Sequence, residues 1–392
     1  MFMGTKFSLE VRGMETKSIV LNLPVDLQKE SYKREREIII NKTRFIEEID
    51  EALKNKEMDP LRKKVSSIYS IINFPKSDHI GLRNIVKNGD TAVLKQGPLL
   101  EELRQIQEAR TIERAKYYLE RLKKGITEIR TNKINDINLN RWKEYTDIIT
   151  DSLWILDKRD ASGAHSAGYW GNFIPQIPHQ LMMRYTKEKE WVLDTFVGSG
   201  TTLIECKRLG RNGIGIELNP QVVNSAKELI KREKNAHNVT TEVIRADSRN
   251  VNLQEILKEH GIKKVQLMIM HPPYHGIIKF SRSPNDLSNA RTVEEFIKMF
   301  CDVLDNTAPY LDKGRYLGIV IGDKYSKSEW IPLGFYIMNE VLKRDFSLKS
   351  IIVKNFEETK AKRNQKELWK YRALVGGFYI FKHEYILLFK KK

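Results

Sequence analysis

The chain has 392 residues, 41% of them hydrophobic and 9% aromatic, which is enough apolar material for two or three domains and excludes a wholly disordered chain. Its 68 Lys and Arg against 51 Asp and Glu leave a formal charge of +17, which favours a polyanionic partner such as nucleic acid; a basic surface serving solubility alone is the plainer alternative. Cys206 and Cys301 are the only cysteines, too few for a disulfide framework or a cysteine zinc cluster. No apolar run approaches the ~18 residues of a membrane span, and the opening MFMGTKFSLEVRG has no signal-peptide core. A cytoplasmic protein without membrane association is expected.

In chain order, Phe45, Ile49 and Leu53 fall at i, i+4 and i+8 among charged residues and predict one helix face. Residues 73–97 carry turn formers and no sustained period. Gly97-Pro98 then opens a second helix, with Leu99, Leu103, Ile106, Leu119 and Leu122 on one stripe and Gly125 as its stop. Residues 1–150 therefore read as a mainly helical N-terminal domain, and 151–392 as a second domain of different character.

Beyond residue 185, short apolar runs alternate with helical stretches. Val192-Leu193 ends at Asp194, residues 213–216 at Glu217, 241–246 at Asp247, 265–270 at His271, and 317–321 at Gly322. Helical patterns cover 200–210, 220–234, 293–304 and 333–343. This alternation predicts βαβ units and a mostly parallel sheet, an α/β fold whose ligands bind beyond the carboxyl ends of the strands.

The sharpest local pattern is Asp194-Thr195-Phe196-Val197-Gly198-Ser199-Gly200-Thr201-Thr202. Gly198 and Gly200 allow a tight turn and close backbone approach to a ligand at the start of a helix. Glu217 closes the next strand 23 residues after Asp194, where an acid meets ribose hydroxyls, and Asp247 closes the third, where it can accept from an adenine amino group. The third glycine of the dinucleotide pattern is missing, and no Lys follows as in a P-loop. An adenosine-containing cofactor without a pyrophosphate fits best. An ordinary βα turn is what the glycines alone would suggest.

His271-Pro272-Pro273-Tyr274 follows the run VQLMIM at the fourth strand end. Paired prolines stiffen the backbone and remove two N–H donors, leaving the Pro272 carbonyl as a fixed acceptor, and Tyr274 offers a stacking face. Standing alone, this would read as a structural turn.

Together and in this order, the motifs resemble those of the nucleic-acid amino-methyltransferase family, which transfers a methyl group from S-adenosylmethionine to an exocyclic amine of adenine or cytosine. DTFVGSGTT resembles the family's cofactor loop, RNGIGIELNP the segment carrying the ribose-binding acid, and HPPY the catalytic tetrapeptide. Residues 172–178 (NFIPQIP) resemble the segment over the methionine part of the cofactor, which implies contacts from Phe173 and Pro175, and HEYILLFKK resembles the last strand of the sheet. The resemblance covers residues 165–392. It implies a Rossmann-like methyltransferase fold with a mostly parallel seven-stranded sheet, and S-adenosyl-L-methionine held by Phe173, Pro175, Asp194, Phe196, Gly198, Ser199, Gly200, Thr201, Thr202, Glu217 and Asp247. It also implies catalysis by His271, Pro272, Pro273 and Tyr274, without a metal.

Two positions depart from the family pattern. Thr195 stands where the family has Pro. His271 stands where it has Asp, Asn or Ser, and imidazole accepts a hydrogen bond only when neutral. Activity is therefore expected to fall as pH drops through a nominal pKa of about 6.5. In the implied mechanism, His271 and the Pro272 carbonyl accept the two N–H bonds of the target amine and aim its lone pair at the methyl group, while Tyr274 stacks on a base flipped from the duplex. Neither cysteine sits in a motif suited to carbon-5 chemistry. A neutral acceptor is closer to Ser than to Asp, so N4 of cytosine is favoured over N6 of adenine.

Only 24 residues separate Asp247 from His271, so target recognition must lie in the first 150 residues or near the C-terminus. Residues 354–377 interleave bases with aromatics, and Lys360, Lys362, Arg363, Lys366, Trp369, Lys370 and Arg372 are the candidate contacts to double-stranded DNA. A solvated helix with Trp369 in the core is the alternative. Residues 279–289 are expected to wall the base pocket, a plain loop being the equal alternative, and residues 159–165 form a polar loop on the cofactor side. The same tetrapeptide would serve an RNA amine or a protein glutamine amide, and a catalytically inactive DNA-binding relative would keep the fold. A separate restriction endonuclease is a partner suggested by the family alone.

Overall fold

The computed structural model describes residues 36–83, 85, 90–166, 168–169, 171–355 and 366–392, with Lys366 described by its backbone alone. These fall in one compact unit, Glu35–Lys392. The opening MFMGTKFSLEVRG and the candidate DNA contacts Lys360, Lys362 and Arg363 lie outside the described residues, as do residues 84 and 86–89 of the irregular stretch.

The first layer pairs an antiparallel ribbon, β1 (Glu37–Asn41) with β2 (Thr91–Lys95), with four helices: α1 (Lys42–Lys54), α2 (Met58–Asn73), α3 (Gln96–Gln107) and α4 (Ile112–Thr127). Phe45 and Ile49 of α1 meet Leu61, Val65 and Ile68 of α2 and Leu103, Ile106 and Leu119 of the later helices in one apolar core. The sequence reading missed α2, although Leu61, Val65, Ile68 and Ile72 repeat at helical spacing. It also merged α3 with α4. The chain breaks between them because Arg62 draws off the Gln107 and Ala109 carbonyls at 2.9 and 3.0 Å, and the Thr111 side chain caps the N–H of Arg114. Gly125 is not a helix stop. It is buried inside α4, where a Cβ would sit 3.1 Å from the Asn140 carbonyl oxygen, so the residue serves a close approach.

The second layer is an eight-stranded sheet in the order β3-β11-β12-β8-β7-β4-β5-β6. Its strands are β3 (Leu153–Trp154), β4 (Trp191–Asp194), β5 (Asn212–Glu217), β6 (Thr241–Arg245), β7 (Val265–Met270), β8 (Leu311–Ile321), β11 (Phe346–Asn355) and β12 (His383–Lys391); β9 (Lys324–Ser326) and β10 (Glu329–Ile331) form a separate hairpin. β6, β5, β4, β7 and β8 are parallel, and β12 runs antiparallel between β8 and β11. The two-residue β3 adds an eighth strand beside the expected seven. The helices packed with the sheet are α5 (Gln176–Tyr185), α6 (Thr201–Leu209), α7 (Pro220–Arg232), α8 (Leu253–Glu259), α9 (Val293–Thr307) and α10 (Leu333–Leu342); α11 (Lys366–Gly376) precedes β12. The continuous apolar run of β7 divides by its period of two. Met268 and Met270 join a core with Phe296 and Phe300 of α9, whereas Leu267 and Ile269 join one with Ile177 and Leu181 of α5. A strand buried on both faces needs such a run, and this is what made it legible.

Candidate active site

The carboxyl ends of β4, β5, β7, β8 and β11 and the start of β12 meet at one rim of the sheet. There they surround a cavity of about 980 Å³. At the end of β4, Asp194 is buried. One carboxylate oxygen accepts from the Thr202 hydroxyl at 2.5 Å and the other from the Phe196 N–H at 2.9 Å, and burial pushes its pKa up to about 6. Asp194 thus fastens the loop to the first turn of α6. Within that loop Gly198 and Gly200 have φ of 50° and 86°, and a Cβ on Gly200 would lie 2.8 Å from Ile230 Cδ1, so glycine is required there twice over. Thr201 then turns its hydroxyl to Asn172 Oδ1 at 2.7 Å, tying the loop to the NFIPQIP segment.

Glu217 closes β5 with each carboxylate oxygen on a backbone N–H, that of Gly198 at 3.1 Å and that of Asn219 at 2.8 Å. Burial raises its pKa. Glu217 lines the cavity, and each oxygen keeps a further lone pair with which it could accept from one hydroxyl of a vicinal diol. Asp247, beyond β6, also lines the cavity, but its carboxylate already receives the Arg249 guanidinium at 2.7 Å and the Arg249 N–H at 3.0 Å. The polar loop at 159–165 acts at one remove. Arg159 donates to the carbonyl of Phe173 at 2.8 Å and of Ser166 at 3.1 Å, and His165 bonds the buried Glu205 of α6 at 2.7 Å.

At the end of β7 the His271 imidazole lies between two rings. Phe173 is 5.0 Å away, centroid to centroid, and Tyr274 meets it edge-on at 5.6 Å. His271 Nε2 lies 3.2 Å from the Tyr274 hydroxyl, which donates to Glu384 at 3.3 Å; Glu384 in turn is paired with Lys354 Nζ at 2.9 Å. Burial lowers the His271 pKa to about 4. This lies below the free imidazole value behind the sequence expectation and favours the neutral imidazole, the form that can accept a hydrogen bond. Tyr274 packs against Gly322 at the end of β8, where a Cβ would come within 3.1 Å of its Cε2.

Of the residues expected at the cofactor, Phe173, Phe196, Gly198, Thr201, Glu217 and Asp247 line the cavity. Asp194, Ser199, Gly200 and Thr202 are buried, do not line it and shape the loop, and Pro175 is buried at the start of α5. His271, Pro272, Pro273 and Tyr274 all line it, as do Phe280, Asn285 and Asp286 of the 279–289 segment. Trp369 of α11 reaches the cavity wall with the Arg372 guanidinium 5.2 Å above its ring, whereas Lys370 is on the exposed side; Lys366 begins the helix. The sequence reading gave no role at this rim to Tyr169, which stacks with Phe280 at 6.0 Å, or to Asp323 and Glu384, and it counted Lys354 only among surface bases. Among the described residues, no helix is long and apolar enough to cross a membrane.

A sequence profile of the DNA methylase family matches residues 32–228, half of the chain. The chain belongs to this family. The matched span takes in the Asp194–Thr202 loop and Glu217 and stops before His271. The Type II methyltransferase M.HpaI of Haemophilus parainfluenzae is 33% identical over 22% of this chain and 27% of its own length. M2.DpnII of Streptococcus pneumoniae is 35% identical over 24% of this chain and 34% of its own, and M.BglI of Bacillus subtilis 28% identical over 34% and 39%. The matches to such curated relatives span well under half of their length. Among solved structures, the precorrin-6y C5,15-methyltransferase of Geobacter metallireducens GS-15 is 10% identical over 59% of this chain and 95% of that one, with a TM-score of 0.37.

Proposed function

We propose that the chain is an S-adenosylmethionine-dependent DNA amino-methyltransferase, acting on N4 of cytosine in preference to N6 of adenine and working beside a separate restriction endonuclease. The observation that carries this reading is that Glu217, the proposed diol acceptor, and His271, the proposed amine acceptor, line one cavity. Membership of the DNA methylase family and the Type II relatives support DNA as the substrate.

The residues present fit the cofactor. The cavity is roomy enough for a nucleoside-sized molecule and one base. Glu217 would hold the ribose hydroxyls, the Gly198 turn permits close approach, and Phe173 and Phe196 supply apolar walls. Bound there, the cofactor supplies an electrophilic methyl group on a sulfonium. The chain's own groups do the rest. The lone pair of an exocyclic amine is delocalised into its ring; His271 and the Pro272 carbonyl accept its N–H bonds and turn that lone pair outward, a positioning effect. Phe173 and Tyr274 pack on the imidazole and reduce its exposure. Because His271 is neutral, an amine hydrogen finds a lone pair there rather than a second donor.

Recognition of the duplex is assigned to the basic stretch around α11, where Trp369 reaches the cavity and Lys370 and Arg372 neutralise phosphates, and to the helical layer of the first 150 residues. The test is His271→Ala. Incorporation of labelled methyl into DNA should fall at least 100-fold while calorimetric binding of the cofactor stays within a few-fold. Undiminished transfer would remove His271, and this mechanism with it.

A further inference from the structure

We infer that the Lys354–Glu384 pair positions Tyr274 so that His271 is held as its Nε2–H tautomer, with Nδ1 presented to the substrate as the acceptor. This rests on the reading of His271 as the amine acceptor. Lys354 and Glu384 are 30 residues apart, yet the register of β11 with β12 makes them direct cross-strand neighbours. Lys354 is buried and its ammonium lies 2.9 Å from Glu384 Oε1 in an ion pair, which leaves Oε2 to face the Tyr274 hydroxyl.

The direction of each hydrogen bond then follows from counting protons. An ionised carboxylate only accepts, so at 3.3 Å it takes the single hydroxyl proton of Tyr274. The phenol oxygen is left to accept, and His271 Nε2, 3.2 Å away, must donate to it. A neutral imidazole has one N–H, so Nδ1 carries the lone pair, and among the described residues no protein donor engages it. Burial keeps the imidazole neutral and the phenol protonated, so the chain of donors runs one way. Without the carboxylate, Tyr274 is free to donate to Nε2, the proton moves to Nδ1, and the acceptor facing the amine becomes a donor. Lys354 and Glu384 touch neither amine nor cofactor in this scheme. They are positioning residues.

The test uses the full chain labelled with 15N-histidine, the His271 signals being assigned by their loss in His271→Asn. The wild type should show a protonated Nε2 and an unprotonated Nδ1. Removing one partner of a buried pair threatens the fold, so two double variants are compared. Lys354→Met with Glu384→Gln leaves a carboxamide oxygen to accept from Tyr274, and should keep the tautomer and a kcat within a few-fold of wild type. Lys354→Met with Glu384→Leu leaves no acceptor. It should shift the tautomer toward Nδ1–H and lower kcat for methyl transfer by about 10- to 100-fold, with KM for DNA unchanged. A purely structural pair would make the two double variants alike, and that result, or an Nδ1–H signal in the wild type, overturns the inference. If the wild type transfers no methyl to DNA, the functional reading falls instead, and the spectra still decide the tautomer.

Discussion

The Phe173 ring stands 5.0 Å from the His271 imidazole, joining the segment before α5 to the tetrapeptide after β7. This contact is part of what buries His271 and brings its pKa to about 4, against a free value near 6.5. Lys354 adds to the lowering, while Glu384 opposes it.

The pH dependence follows with a definite sign. A histidine whose folded pKa is depressed stays neutral, and able to accept, until the pH approaches that lower value. Methyl transfer should therefore show no loss assignable to His271 between about pH 8 and pH 5, and a fall only on approach to pH 4. Stability runs differently: the unfolded imidazole takes its proton first, so this group's contribution declines as pH falls from about 6.5 toward 4. In Phe173→Ala, water reaches the imidazole, and the lower limb of the rate profile should move up toward pH 6 at saturating cofactor. Steady-state rates across buffers check both; a wild-type limb at pH 6.5 would mean the imidazole is hydrated.

Asp194 and Glu217 separate two kinds of cofactor residue. Glu217→Ala should weaken cofactor binding about 10- to 100-fold, having lost both the diol acceptor and the anchors to Gly198 and Asn219. Asp194→Asn turns a donor toward Thr202 and should weaken binding about 10-fold with a lower melting temperature, although Asp194 does not line the cavity. Calorimetry paired with thermal melts distinguishes them: Glu217→Ala should lose affinity beyond what its lost anchors cost in stability, whereas in Asp194→Asn the two should fall together.

Gly322 gives a steric test. In Gly322→Ala the new Cβ meets Tyr274 Cε2 at 3.1 Å, so the ring must give by a few tenths of an ångström. The hydroxyl moves with it, and kcat should drop about 10-fold while cofactor affinity holds. An unchanged kcat would show that the Tyr274 hydroxyl needs no fixed position.

Thr195 should respond in the opposite direction. Its hydroxyl oxygen is buried with no hydrogen-bond partner among the described residues, a cost of about 1–3 kcal/mol. Thr195→Val keeps the shape and removes the orphaned group, so the melting temperature should rise, by the equivalent of about 1 kcal/mol. A lower melting temperature would show that the hydroxyl has a partner in solution.

The strand ends were legible because each apolar run is short and closes on a polar or glycine residue. Asp194, Glu217, Asp247, His271 and Gly322 all follow from that pattern. The work each does was less legible. Asp194 reads as a ligand contact in sequence, yet its oxygens are spent on Thr202 and Phe196, and Asp247 is met by Arg249 only two residues on. Glu384 gave no local signal at all. It lies 110 residues from Tyr274 and reaches it only because β12 returns antiparallel between β8 and β11. The depressed pKa of His271 was hidden for the same reason, since the Phe173 ring that helps bury it comes from a distant segment. The division of α3 from α4 turned on Arg62, a side chain from another helix.

The most direct measurement is nucleoside mass spectrometry of unmethylated DNA after incubation with the full chain and methyl-labelled S-adenosylmethionine. Labelled N4-methylcytosine is the expected product, with N6-methyladenine as the outcome that keeps the mechanism and changes the base. Label appearing only in RNA, at carbon 5 of cytosine, or nowhere while the cofactor binds, would contradict the assignment of this cavity to an exocyclic amine of DNA.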